Sequence, residues 1–168
     1  METELNVSVK GSLNMVFKDT RTGEIIDTFE DNNVFLKQGK SAMLRAFTTL
    51  NSNDYQVRTI SIGTDIGSGT VLDPELPDSD YTEANQDVIY EVPLDEFFVE
   101  YPDDESVRFL ATINGVNVMS SFTTQPNVIY TSAALMNQSG EAVAYRRFSA
   151  RTISSYISVD VAWTLRLI

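Results

Sequence analysis

Cysteine and histidine are both missing from this 168-residue chain. Without cysteine there is no disulfide framework, no thiolate nucleophile and no thiolate metal site. Without histidine the commonest general base and the commonest metal ligand are gone together. No apolar run is long enough to span a bilayer. The opening Met1-Glu-Thr-Glu is acidic where a secretory signal is basic and then apolar, so the expected place of synthesis and first residence is a cytoplasm. Lysine and arginine are absent from Thr59 through Val107, a stretch that carries fourteen acids.

The net charge of −12 is therefore unevenly spread. Residues 1–58 are near balance, with eight acids and seven bases, and residues 108–168 hold two acids and five arginines. Nucleic-acid binding needs a contiguous basic face to neutralise phosphates, and this pattern excludes one. The acidic stretch reads either as a solvated loop or as a surface that docks on arginines of a neighbouring subunit. Arg146, Arg147 and Arg151, in a segment almost free of acid, are the candidate basic side of such a contact. Asp95, Glu96, Phe97, Phe98 and Tyr101 are its candidate acidic and aromatic side.

What is present is alternation. Ile157, Val159, Val161, Trp163, Leu165 and Leu167 fall on one side of a strand, with polar residues and Ala162 between them. Val159, Val161, Trp163 and Leu165 are the predicted core. Leu5 to Phe17 alternates in the same way, with Gly11 expected to mark a bulge and Val16 the one apolar residue out of step. Asp19 to Glu24 is turn chemistry, with Gly23 taking a positive φ and Glu24–Glu30 returning as the second arm. Asp31-Asn-Asn is expected to end that arm. Met43, Leu44, Phe47 and Leu50 recur at helical spacing and predict one amphipathic helix near residues 36–50. Further strands are predicted at 57–62, 87–94, 106–113, 128–136 and 142–148, with Asn114-Gly115 a tight turn. One helix cannot supply crossovers for a parallel sheet. The expected fold is all-β, a mainly antiparallel β-sandwich (jelly-roll-like) in a single domain, residues 1–168, with a long acidic insert at about 71–105.

Chemistry has little to stand on. Gly63-Thr-Asp-Ile-Gly67-Ser-Gly69 lacks the lysine and the helix that a phosphate-cradling loop requires. Asp73, Glu75, Asp78 and Asp80 offer oxygen ligands for Ca²⁺, but an EF-hand register would put Asp78 where glycine is needed and has no glutamate at its twelfth position. Serines have no histidine to activate them. Carboxylates spaced roughly 5–9 Å apart, as in glycosidases, arise by chance among so many acids. The sequons at Asn6 and Asn137 read as chance matches. Tyr90, Phe97, Phe98 and Tyr101 read as packing residues, or alternatively as a platform for stacking carbohydrate. The chain is read as having no catalytic residues, no dedicated metal site and no cofactor.

Several pieces occur in a telling order. Thr22-Gly23-Glu24 is followed by Asn33, Leu36 and Gly39 leading into the helix, then by Ile60, Ile62, Gly63 and Thr64. Ala134-Leu-Met-Asn137, Ser139-Gly140, Ala144-Tyr-Arg-Arg-Phe148 and Val161-Ala-Trp163-Thr-Leu165 complete the series. This order resembles a family of small β-sandwich structural proteins of tailed bacteriophages, of tail, fibre and decoration type. The acidic insert departs from the family pattern. The resemblance implies a virion protein, synthesised in the host bacterial cytoplasm, that binds other capsid or tail subunits, as a homo-oligomer and without membrane or nucleic-acid partners. With no fibrous repeat or heptad, the expected station is capsid decoration. The alternatives are a tail or neck adaptor for fibre attachment and a carbohydrate-binding receptor module.

Overall fold

The computed structural model describes residues 8–65, 86–92 and 97–168. Nine strands, two helices and one 3-10 turn are found among them. In chain order they are β1 (Val9–Asp19), β2 (Ile25–Phe35), α1 (Lys37–Thr48), the 3-10 turn Ser52–Tyr55, β3 (Val57–Asp65) and β4 (Gln86–Val92). Then follow β5 (Phe97–Asp103), β6 (Ser106–Asn114), α2 (Gly115–Met119), β7 (Val128–Asn137), β8 (Ala142–Ile153) and β9 (Ile157–Leu167).

Every pairing is antiparallel, in the order β4-β3-β7-β8-β2-β1-β9-β6-β5. The sheet curls, so that β4, near one end of the order, touches β6, near the other. Its two halves are joined by a short seam in which only Val34 pairs with Tyr145 and Phe35 with Ala144. Side chains alternate across a strand, and the inward rows of both halves meet in one core. Leu13, Met15, Ile113, Val159, Val161, Trp163 and Leu165 come from one half; Ile60, Ile62, Leu135, Phe148 and Ile153 come from the other. All four predicted core residues of β9 are in it.

Local chemistry accounts for the turns. The Gly23 N–H donates to the Asp19 carbonyl at 2.8 Å with Gly23 at φ 76°, and Gly140 closes the β7–β8 hairpin at φ 80°.

Several expectations need correcting. Gly11 is not a bulge: it pairs in register with both Asn33 and Leu165, and the irregularity in β1 falls between Phe17 and Lys18. Its missing Cβ instead makes room for the Asn33 side chain, whose Cγ would lie 2.7 Å from a Cβ at position 11. Asp31-Asn-Asn does not end the second arm, because β2 runs on to Phe35 with Asn33 buried. Asn114-Gly115 opens a helix: the Asn114 side chain accepts the Val116 N–H at 3.0 Å and caps α2. The stretch 95–105, between the strands predicted at 87–94 and 106–113, contains β5, and β8 continues past Phe148 to Ile153.

A candidate interaction surface at the helix end

Helix α1 packs through its smallest residues. Gly39 and Ala42 are its buried positions, and Gly39 lies so close to the backbone of Val143 that any side chain would collide with it. The helix start is tied to β8 by the Leu36 N–H, which donates to the Val143 carbonyl at 3.0 Å. Farther along, Arg45 donates to Glu141 Oε1 at 2.8 Å while its guanidinium stacks 4.8 Å from the Tyr55 ring centre. Glu141 also accepts the Asn137 side-chain amide at 2.9 Å, and these two donors hold its carboxyl below the ordinary glutamate range. Asn137, the last residue of β7, is buried.

With the small side packed inward, the apolar stripe faces out. Leu44 is 68% exposed and Phe47 84%, and Leu50 is exposed beyond the helix end. The helical spacing identified a helix correctly, but it does not say which side is buried. Met43, one turn before Phe47, lies in the wall of an apolar cleft of about 350 Å³. Val9, Tyr55, Val57, Val107 and Leu167 also line it, so it opens where the two halves of the sheet and the helix meet. Met43 thus lines the cleft and lies one helical turn from the exposed Phe47. Monomeric proteins rarely leave large apolar patches open to water.

The charged residues that line the cleft are Asp104, Glu105 and Arg166, while helix α1 contributes Gly39, Ala42 and Met43. The β5–β6 turn carries Asp103, Asp104 and Glu105 beside the exposed Tyr101. Hydrogen bonds from the Ser106 side chain and the Glu105 N–H, with the nearby Arg166, hold the Asp103 carboxyl below its usual range. Arg166 approaches Glu105 at 3.5 Å and Asp103 at 4.0 Å.

The arginines singled out from the sequence sit elsewhere, each paired within the chain. Arg146 reaches Asp31 on β2, Arg147 reaches Asp65 on β3, and Arg151 reaches Asp27 at 2.7 Å while lying over the rings of Phe17 and Phe29. None of these carboxylates belongs to residues 71–105. Arg147 and Asp65 are nearly buried, and Asp65 also accepts the Tyr145 hydroxyl at 2.6 Å. A second buried network runs beside it, from Ser61 to Gln86 (2.7 Å), from Gln86 to Ser132 (2.9 Å) and from Ser132 to the Gly63 carbonyl (3.0 Å).

Of the acidic and aromatic candidates, Phe98 and Tyr101 lie exposed on the edge strand β5, and Phe97 begins that strand. Asp95 and Glu96, the Ca²⁺ candidates Asp73, Glu75, Asp78 and Asp80, Gly67 and Gly69 of the glycine loop, and Asn6 lie outside the described residues. Among the described residues no group of three acids could hold a metal ion, and no helix is long and apolar enough to cross a membrane.

Comparison with family models, with curated proteins and with solved structures finds no match to this chain.

The sequence reading missed the cleft because its walls come from segments far apart in the chain, from Val9 to Leu167, brought together only by the strand order. The outward side left one trace: Gly39 and Ala42 fall opposite Leu44 on the helical wheel, and a helix packs most closely where its side chains are smallest.

Proposed function

We propose that this chain is a non-enzymatic structural protein of a tailed-phage virion, a single β-sandwich domain that binds other virion subunits, with capsid decoration its first station. The observation that carries an assembly role is the apolar surface formed by Leu44, Phe47 and the cleft beside Met43. A folded domain with a filled core of its own keeps such a surface for a protein partner. The ordered motifs from Thr22-Gly23-Glu24 to the Trp163 strand support the virion setting. The absence of histidine and cysteine removes the usual nucleophile–base pairs and supports a role without catalysis.

Labelling the chain and locating it on intact particles by electron microscopy tests this reading. Density on the capsid lattice, retained after tails are removed, is the expected result. Density confined to the neck or tail identifies the adaptor alternative, and absence from particles overturns the proposal. The exposed aromatics Phe98 and Tyr101 favour one further reading, a glycan receptor module, for which specific retention on a glycan array is the test.

A further inference from the structure

An antiparallel sheet with one side on the core usually shows water a polar face on the other. The outer face of β1, β9, β6 and β5 instead carries an apolar strip. Leu13, Val161 and Ala111 are buried, so their strand neighbours Asn14, Ala162 and Leu110 look outward. Register sets these three and Phe98 in one row: Asn14 lies opposite Ala162, Ala162 opposite Leu110, and Leu110 opposite Phe98. The row crosses three strand spacings, about 14 Å. Phe98 stands 67% exposed at one end, and the small Ala162 lowers the floor. In the next row Asp160 lies opposite Thr112, and the two rows line an open groove of about 340 Å³. Asp160 is the one charged residue in that lining among the described residues. Lys18 donates to one of its oxygens and the Thr112 hydroxyl to the other at 3.0 Å. The Asn14 side-chain amide has no hydrogen bond among the described residues.

We propose that this groove binds a neutral oligosaccharide, stacked on Phe98 and hydrogen-bonded by Asp160 and Asn14. This rests on the glycan-receptor reading above and gives it a site and a ligand class. A sugar ring has a C–H face that packs on an aromatic ring and a rim of hydroxyls, and the groove sets an apolar strip beside a polar row to match. A carboxylate accepts from hydroxyls, while an amide both accepts and donates, so Asp160 and Asn14 together serve either sense of hydroxyl. Lys18 already balances the charge of Asp160, so the lining offers no spare base to an anionic sugar and no spare acid to an amine. Tyr101 lines the cleft beside α1 instead, so the two exposed aromatics do not share one platform.

The test applies the full chain to an array carrying neutral glucose, galactose, mannose and rhamnose oligomers beside sialylated and sulfated glycans. Titration calorimetry then measures affinity for the neutral oligomer retained most strongly. Retention of neutral oligomers is the expected result. Phe98→Ala and Asn14→Ala each change a side chain that holds nothing in the fold, so both keep the circular dichroism of the parent. Each is expected to weaken binding at least tenfold, while Tyr101→Ala leaves it unchanged. Preference for sialylated or sulfated glycans overturns the proposal. Neutral binding that is indifferent to Phe98→Ala and Asn14→Ala also overturns it, but leaves the receptor reading standing. Retention of no glycan at all removes both.

Discussion

The indole N–H of Trp163 donates to the side-chain oxygen of Asn33 at 2.9 Å, in the interior and across an intervening strand. Trp163 faces Leu13 of β1, and Asn33 faces Gly11 of the same strand, so the bond passes over β1 at the point where it has no side chain. A buried indole needs an acceptor, and here a glycine provides the space for it. Trp163→Ala is expected to lower stability by about 3–5 kcal/mol, the range for large aromatic truncations in a core. Gly11→Ala is expected to cost about 1–3 kcal/mol by crowding the Asn33 amide, and less in an Asn33→Ala background. A double-mutant cycle by urea denaturation checks both; additive costs would show that Gly11 and Asn33 do not share this space.

Two ion pairs of the same composition are expected to behave differently. Asp65 is almost wholly buried against Arg147, whereas Asp27, opposite Arg151, is about half exposed. Asp65→Ala strips a buried guanidinium of its carboxylate and should cost about 3–5 kcal/mol. Asp27→Ala should cost under about 1 kcal/mol, since water screens the exposed pair. Equal shifts in denaturation midpoint would contradict this ranking. Reversing Arg147 to glutamate would for the same reason damage the fold, which makes it a poor probe of assembly.

Tyr130 is buried, and its hydroxyl has no hydrogen-bond partner among the described residues. Tyr130→Phe removes a desolvated polar group and keeps the edge-on contact with Phe148 at 5.7 Å, so stability should rise by about 1 kcal/mol. Burial also raises the Tyr130 phenol well above its ordinary range, as burial and the Asp65 hydrogen bond raise that of Tyr145. A raised phenol favours the fold below the unfolded-state value near 10 and ceases to as pH climbs beyond it. Ultraviolet titration should therefore show both tyrosines ionising only with unfolding, and early ionisation of either would refute its burial.

Acid should loosen turns before it opens the core. The paired donors of Arg21 lower the Asp19 carboxyl from 3.8 to about 2, and Asn137 and Arg45 lower that of Glu141. Lowered carboxyls contribute stability above their unfolded values, near 3.8 and 4.5 respectively, and lose it as pH falls through the folded ones. Glu141→Gln should flatten the dependence of stability on pH below about 4.5 relative to the parent. Identical acid limbs for the two proteins would mean that Arg45 does not hold the helix through this carboxylate.

Strict alternation made β1 and β9 legible, because each buries one side only and its period is visible in every residue. Asn33 was misread because an Asp-Asn-Asn run is ordinarily turn chemistry, and only the tertiary partner Trp163 turns one of those amides into an interior group. Asn114-Gly115 was misread for a similar reason, since the same side chain that favours a tight turn also caps a helix. For α1 the period identified the element, while the direction it faces was set by how closely Gly39 approaches Val143. Arg146, Arg147 and Arg151 looked unpaired along the chain because Asp31, Asp65 and Asp27 lie some eighty to one hundred and twenty-four residues away, joined to them only by strand order.

The order of strands also governs when the protein can become itself during synthesis. β9 lies between β1 and β6, yet it is made after both. Until it leaves the ribosome, β1 and β6 each keep an open hydrogen-bonding edge, and the Trp163 space stays empty. Such edges are templates for pairing with the wrong chain, and contacts of long sequence separation form slowly. A nascent chain stalled just short of Ile157 would therefore be the aggregation-prone species, and emergence of the eleven-residue β9 would be the event that joins β1 to β6.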